Sequence, residues 1–136
     1  MRTCWVFDHP AHVRLLAPFL RSGTATDIIV ATDRHEVRQL MESSEGVLPR
    51  RQTIWVERPV GKGRYRIAWK RMRTVRQELR NAEKSGQKFE RIVSVGSPLE
   101  LRVAKKLGIS KRWYISDTEI NYLAHKLARN AATDAL

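Results

Sequence analysis

Five short apolar runs, each followed by a longer segment of helical period, set the strongest limit on what this chain can fold into. The runs are Thr3 to Phe7, Asp27 to Thr32, Thr53 to Glu57, Arg91 to Val95 and Arg112 to Ser116, rich in β-branched and aromatic residues. The segments of helical period are His12 to Arg21, Arg34 to Ser43, Arg64 to Ser85, Pro98 to Leu107 and Thr118 to Ala132. Alternation of this kind is the pattern of βαβ units and a parallel sheet. The strands are short and apolar enough to be covered on both faces. The expected architecture is therefore α/β, a Rossmann-like three-layer sandwich around a five-stranded parallel sheet. Right-handed crossovers make 3-2-1-4-5 the simplest doubly wound order. Ser22-Gly23, Gly46, Ser85-Gly86 and Gly108 follow helical segments, where glycine can close a helix in the left-handed conformation.

A length of 136 residues suits one domain, residues 1–136, with a sizeable core. Hydrophobic residues at 42% and charged residues at 29%, with no repeat or low-complexity stretch, exclude a fibrous or disordered chain. Apolar runs such as Ile28-Ile29-Val30-Ala31 fall far short of the roughly 20 residues that span a bilayer. Asp8 and Pro10 arrive before a signal-peptide stretch can form, so a cytoplasmic location is expected. The single cysteine, Cys4, excludes an internal disulfide framework and a multi-cysteine zinc site, and it reads as a buried strand residue.

In a doubly wound sheet, ligands bind beyond the carboxyl ends of the strands where the strand order reverses. Here that point lies between the first and fourth strands. It brings together the loop Asp8-His9-Pro10-Ala11-His12 and the loop Gly96-Ser97-Pro98, with Asp117-Thr118-Glu119 beside them. Gly96 permits close backbone approach, Ser97 can cap the next helix and Pro98 suits its first turn, so free amides there would face an anion. The same residues, with Glu100 three positions after Ser97, also read as a capping box and nothing more. Asp117 and Glu119 can accept hydrogen bonds from hydroxyls or act as a general base, or they can serve only the helix start. His9 and His12 are either acid, base or donor groups near neutral pH, or polar packing residues. Their spacing with Asp8 matches no zinc pattern, and no metal is expected.

Several cradles are missing from the sequence. There is no GxGxxG after the first strand, no GxxxxGK(S/T) and no GxSxG elbow. Gly61-Lys62-Gly63 is a flexible basic loop instead.

Lys and Arg number 26 against 14 Asp and Glu, a net charge of +12 that favours anionic partners. The third helix carries much of it. Ala68, Met72, Val75, Leu79 and Ala82 make one apolar stripe for the sheet. Arg66, Lys70, Arg73, Arg80 and Lys84 point away from that stripe, and Tyr65 and Trp69 lie at its edge. Such a face can rest on an anionic membrane surface, meet a phosphorylated acceptor, bind nucleic acid, or simply be solvated.

Taken together, the loops resemble a known group. Pro10, His12 and Val13, then Gly96-Ser97-Pro98 with Arg102-Val103-Ala104 and Leu107-Gly108-Ile109, then Asp117-Thr118-Glu119 follow the order seen in one prokaryotic family. That family is known by its similarity to UDP-N-acetylglucosamine 2-epimerases and GT-B glycosyltransferases. The loop after the first strand is a residue shorter here than in the family. The resemblance implies an N-terminal, acceptor-side lobe that works with a second GT-B lobe or a partner subunit. It implies His12 and Asp117 as catalytic residues, and Asp8, His9, Gly96, Ser97, Thr118 and Glu119 as substrate contacts. No cofactor is expected in this chain, and a nucleotide-sugar donor is expected only with the second lobe. Arg66, Lys70, Arg73 and Arg80 would meet an anionic surface. The alternative function is a basic nucleic-acid-binding module without catalysis.

Overall fold

A computed structural model describes residues 1–43, 51–115 and 132–135. Its strands are β1 (Thr3–Phe7), β2 (Ile28–Thr32), β3 (Gln52–Val56), β4 (Arg91–Val95), β5 (Lys111–Ile115) and β6 (Asp134–Ala135). Between them lie α1 (Pro10–Ser22), α2 (His35–Ser43), α3 (Arg64–Lys84) and α4 (Leu99–Leu107). All strand pairs are parallel, in the order β3-β2-β1-β4-β5-β6. The expected order 3-2-1-4-5 is present, extended by the short β6, which pairs Trp113 with Asp134 and Tyr114 with Ala135. Boundaries of the described elements fall within two residues of those expected. The helix expected over 118–132 lies, apart from Ala132, outside the described residues.

The sheet has a core on each face because side chains alternate along each strand. Cys4 and Val6 of β1, Ile28 and Val30 of β2 and Ile92 of β4 point to one side, where Val75 and Leu79 of α3 and Leu101 and Ala104 of α4 cover them. Trp5, Phe7, Ile29, Ala31, Val93 and Val95 point to the other, against Val13, Leu16 and Leu20 of α1 and Val37 of α2. Of the inner strands, β1 and β2 are buried along their whole length. β3, at the sheet edge, is buried only at Ile54 and Val56. Each fully buried Leu, Ile or Phe contributes on the order of 1.5–3 kcal/mol. Among the described residues, no helix is long and apolar enough to cross a membrane.

Helix α3 is the long return stroke of the winding. Its 21 residues carry the chain from the outer strand β3 past β2 and β1 to β4, so the order reverses between β1 and β4.

Two polar side chains fasten the amino edge of the sheet. Asp27, expected to open the second strand, sits just before it. Its carboxylate accepts the backbone N–H of Thr3 at 2.9 Å, the indole N–H of Trp5 at 3.0 Å and the hydroxyl of Thr24 at 2.6 Å. The Arg2 guanidinium donates to the carbonyls of Thr26, Ala82 and Gln87 at 2.8, 3.1 and 2.5 Å. Gly108 closes α4 in the left-handed conformation, as expected. Gly23, after α1, is extended instead, and a Cβ there would lie 2.5 Å from Oδ2 of Asp27. Space, not backbone freedom, fixes glycine at that position.

Candidate functional site

The switch point between β1 and β4 is occupied by a polar cluster built around Arg71, a residue the spacing of the α3 stripe passed over. Arg71 lies two turns into α3, and its side chain is 1% exposed. Its Nε donates to Oε1 of Glu100 at 2.5 Å. Its terminal nitrogens reach Oδ1 of Asp8 at 3.4 and 3.5 Å, the Thr32 hydroxyl at 3.1 Å, the Glu57 carbonyl at 3.3 Å and the Ser97 hydroxyl at 3.4 Å. These partners stand at the carboxyl ends of β1, β2, β3 and β4 in turn, with Glu100 in the first turn of α4. One guanidinium thus gathers four strand ends. Burial by itself pushes the Arg71 guanidinium down, and the Glu100 and Asp8 carboxylates outweigh it, so the group stays above its ordinary range and charged.

Two carboxylates face this single cation, in different surroundings. Glu100 is buried, with Oε1 on Arg71 and Oε2 accepting the Ser97 hydroxyl at 2.6 Å. Asp8 directly follows β1, and its side chain keeps 23% of its surface exposed. Its partners among the described residues, Arg71 and the Thr32 hydroxyl, both meet Oδ1 and leave Oδ2 without one. Asp8 is the member of the cluster that solvent or a ligand can reach.

The loop that carries Asp8 is held by histidines. His9 caps α1, its Nδ1 accepting the Ala11 amide at 3.2 Å, and Pro10 opens the helix, where its missing N–H costs nothing. Nδ1 of the buried His12 accepts the Asp8 amide at 3.2 Å. A ring whose Nδ1 accepts an N–H carries its neutral-state proton on Nε2, so His12 is placed as a hydrogen-bond donor. Of the acid, base and donor roles open to His12, that of base would require the bond to the Asp8 amide to open. The two rings lie 5.8 Å apart, and His9 is exposed.

At the expected anion cradle, the Gly96 amide and the Ser97 hydroxyl are engaged within the chain. Gly96 is left-handed, with φ of 76°, and its amide donates to the Ile115 carbonyl at 3.1 Å, prolonging the pairing of β4 with β5. The Ser97 hydroxyl donates to Glu100, and the Ser94 hydroxyl donates to the Ser97 carbonyl. The expected capping box does not form either. Pro98 is the N-cap of α4, without a side-chain cap bond, and Glu100 turns inward to Arg71. Asp117, Thr118 and Glu119 lie outside the described residues. Among the described residues, no group of three or more His, Cys, Asp or Glu side chains is placed to hold a metal ion.

The basic residues of α3 sit as their spacing predicts. Arg66, Lys70, Arg73 and Arg80 are exposed, and so are Tyr65 and Trp69, while Val75, Leu79 and Ala82 are buried. Arg71 could have been found by the same arithmetic. It lies three residues after Ala68 and four before Val75, inside the apolar stripe, and a cation there calls for a buried acid.

Solved structures share this arrangement of strands and helices. A UGT transferase from Siraitia grosvenorii in complex with UDP superposes with a TM-score of 0.56 and 15% identity, over 84% of this chain and 28% of the other. A single-residue variant of Os79 from O. sativa, also in complex with UDP, superposes with a TM-score of 0.54 and 14% identity, over 85% of this chain and 28% of the other. The chain shares a glycosyltransferase-like, Rossmann-like fold with part of each of these structures. It spans little more than a quarter of the length of either neighbour. No family model and no curated protein matches it.

Proposed function

We propose that this chain is the acceptor-binding half of a GT-B glycosyltransferase-like or nucleotide-sugar epimerase-like protein, of the prokaryotic family that its loops resemble. A second lobe or partner subunit supplies the nucleotide-sugar contacts. The observation that carries the reading is the half-open cluster at the switch point. A buried Arg71, itself held by Glu100 and Ser97, and the Thr32 hydroxyl hold one carboxylate, Asp8, with an edge turned outward. A carboxylate acceptor beside an imidazole donor suits hydroxyl groups better than a phosphate. In this reading Asp8 takes a hydrogen bond from an acceptor hydroxyl, and His12, whose ring holds the Asp8 amide, acts near the transferred sugar. Asp117, Thr118 and Glu119 complete the acceptor contacts from the loop after β5. Arg71 does not touch substrate and acts as a positioning residue. The nucleotide sugar, bound across the cleft by the other lobe, supplies the transferred group.

The test is UDP release from UDP-sugars by the purified chain, set beside complementation in cells that depend on the protein. The chain alone should release no UDP above background. Asp8→Asn, His12→Ala and Asp117→Ala should each fold and fail to complement. Robust transfer or epimerisation by the isolated chain overturns the half-enzyme reading. Full complementation by all three variants overturns any role of this cleft in chemistry.

A further inference from the structure

The outer surface of α3 is one of the most unbalanced parts of the molecule. On a helix of 3.6 residues per turn, Arg66, Lys70, Arg73, Arg76, Arg80 and Lys84 fan over the side opposite the buried Val75 and Leu79, and all six are exposed. The helix's acids with exposure to spare, Glu78 and Glu83, are half-buried on its flanks. Large apolar groups stand beside the cations at the amino end. Tyr65 is 74% exposed, Trp69 59%, and Val60, in the loop entering the helix, 54%. Trp69 and Tyr65 lie two and six residues before Arg71, which is level with the strand ends, and Val60 precedes them in the loop. They therefore mark the end of α3 that borders the cleft.

We propose that this face of α3 docks on an anionic lipid surface, with Tyr65, Trp69 and Val60 in the headgroup layer and the arginines and lysines on the lipid phosphates. Charge complementarity names an anionic occupant, and three features favour lipid over nucleic acid. The face is one continuous helix of 21 residues, roughly 30 Å long, which fits a plane. Exposed Val60 gains from an acyl boundary and offers a base nothing to stack on. The aromatic rings already carry guanidinium groups, Arg64 at 5.0 Å from the Tyr65 centroid and Arg73 at 5.4 Å from that of Trp69. Base stacking would compete for those ring faces, whereas a ring lying in the headgroup layer keeps its arginine beside a phosphate. With α3 lying along the membrane plane, the Asp8 end of the sheet stands at the same end as Tyr65 and Trp69, beside the surface, where a lipid-borne hydroxyl acceptor would be presented. The docking itself does not depend on the transferase reading, and either can fail alone.

Trp69 reports the event, being the exposed member of the chain's four tryptophans. The full chain is mixed with vesicles of phosphatidylcholine, with and without phosphatidylglycerol. Binding should appear only with the anionic lipid and weaken as salt is added. Trp69 emission should shift to the blue and be quenched by brominated acyl chains. Charge reversal in R66E/R73E/R80E should weaken binding on the order of 100-fold. Tyr65→Ser with Trp69→Ser should weaken it about tenfold at a salt concentration that screens the charges. Trp69→Phe should lose the spectral shift, which assigns the shift to Trp69. All these positions are exposed, and an unchanged far-UV spectrum verifies each variant. No binding to anionic vesicles at low ionic strength overturns the proposal, and so does undiminished binding by the triple variant. Displacement of the chain from vesicles by an oligonucleotide, with Trp69 quenched by the bases, reassigns the face to nucleic acid.

Discussion

Replacing Arg71 with Met tests whether one guanidinium holds the strand ends together. Met fills much of the same volume in α3 and keeps helix propensity, so the change is chiefly the loss of charge and donors. It leaves Glu100, 1% exposed, with the Ser97 hydroxyl as its remaining partner, and it takes from Asp8, Thr32 and the Glu57 carbonyl the donors they share. Stranding one member of a buried ion pair costs about 3–5 kcal/mol. For a domain of this size that lowers Tm by roughly 10–15 °C. Arg71→Lys should recover little, because one ammonium cannot span Glu100, Asp8 and Ser97 together. Adding Glu100→Leu to Arg71→Met removes the stranded charge and should restore about 2 kcal/mol or more, a coupling that distant sites never show. Arg73→Met, two residues on and exposed, should stay within about 0.5 kcal/mol. Urea unfolding followed by tryptophan fluorescence gives each value, with an unchanged slope certifying a two-state comparison. A cost below about 1 kcal/mol for Arg71→Met, or strict additivity in the double variant, would refute the account of Arg71 as the tie of the site.

Two further predictions concern the rest of the sheet. Burial, aided by the Glu100 and Asp27 carboxylates, pushes the Cys4 thiol far above its ordinary value. A thiol reagent at neutral pH should therefore find no reactive cysteine in the native protein and one per chain in denaturant, with native labelling no faster than global unfolding. Asp27→Ala strands the Thr3 amide, the Trp5 indole and the Thr24 hydroxyl at the amino edge and should cost about 2–4 kcal/mol. Asp27→Asn, which keeps acceptor oxygen, should cost less, and a shift in Trp5 emission with Asp27→Ala should accompany the loss.

The winding of the sheet was legible because it rests on local periods. β1 and β2 are apolar throughout since both faces are covered, and the α3 stripe of Val75, Leu79 and Ala82 repeats at helical spacing. The position of the site followed from strand order alone. Its internal wiring was not legible. Ser97 and Glu100 have the spacing of a capping box, but a capping box is stable only when no stronger donor is near, and Arg71 comes from α3, 29 residues earlier in the chain than Glu100. A charge-assisted bond at 2.5 Å outcompetes a backbone amide for the same carboxylate. Likewise Gly96 reads as an open anion cradle until β5 takes its amide, a pairing set by sheet register. Residues tied to their neighbours in sequence could be placed, and residues tied across elements could not.

Helix α3 is held at both edges of the sheet by different arginines. Near its start Arg71 ties it to the strand ends, and near its finish the Ala82 carbonyl accepts from Arg2 at 3.1 Å. It is a strut pinned twice, with no slack along its length. A slip of one residue, roughly 1.5 Å, would pull both arginines out of register with their partners. Whatever seats the outer face of this helix therefore sets the bearing of Asp8 as well, as a rudder set at one end of a rigid shaft answers to the hand at the other.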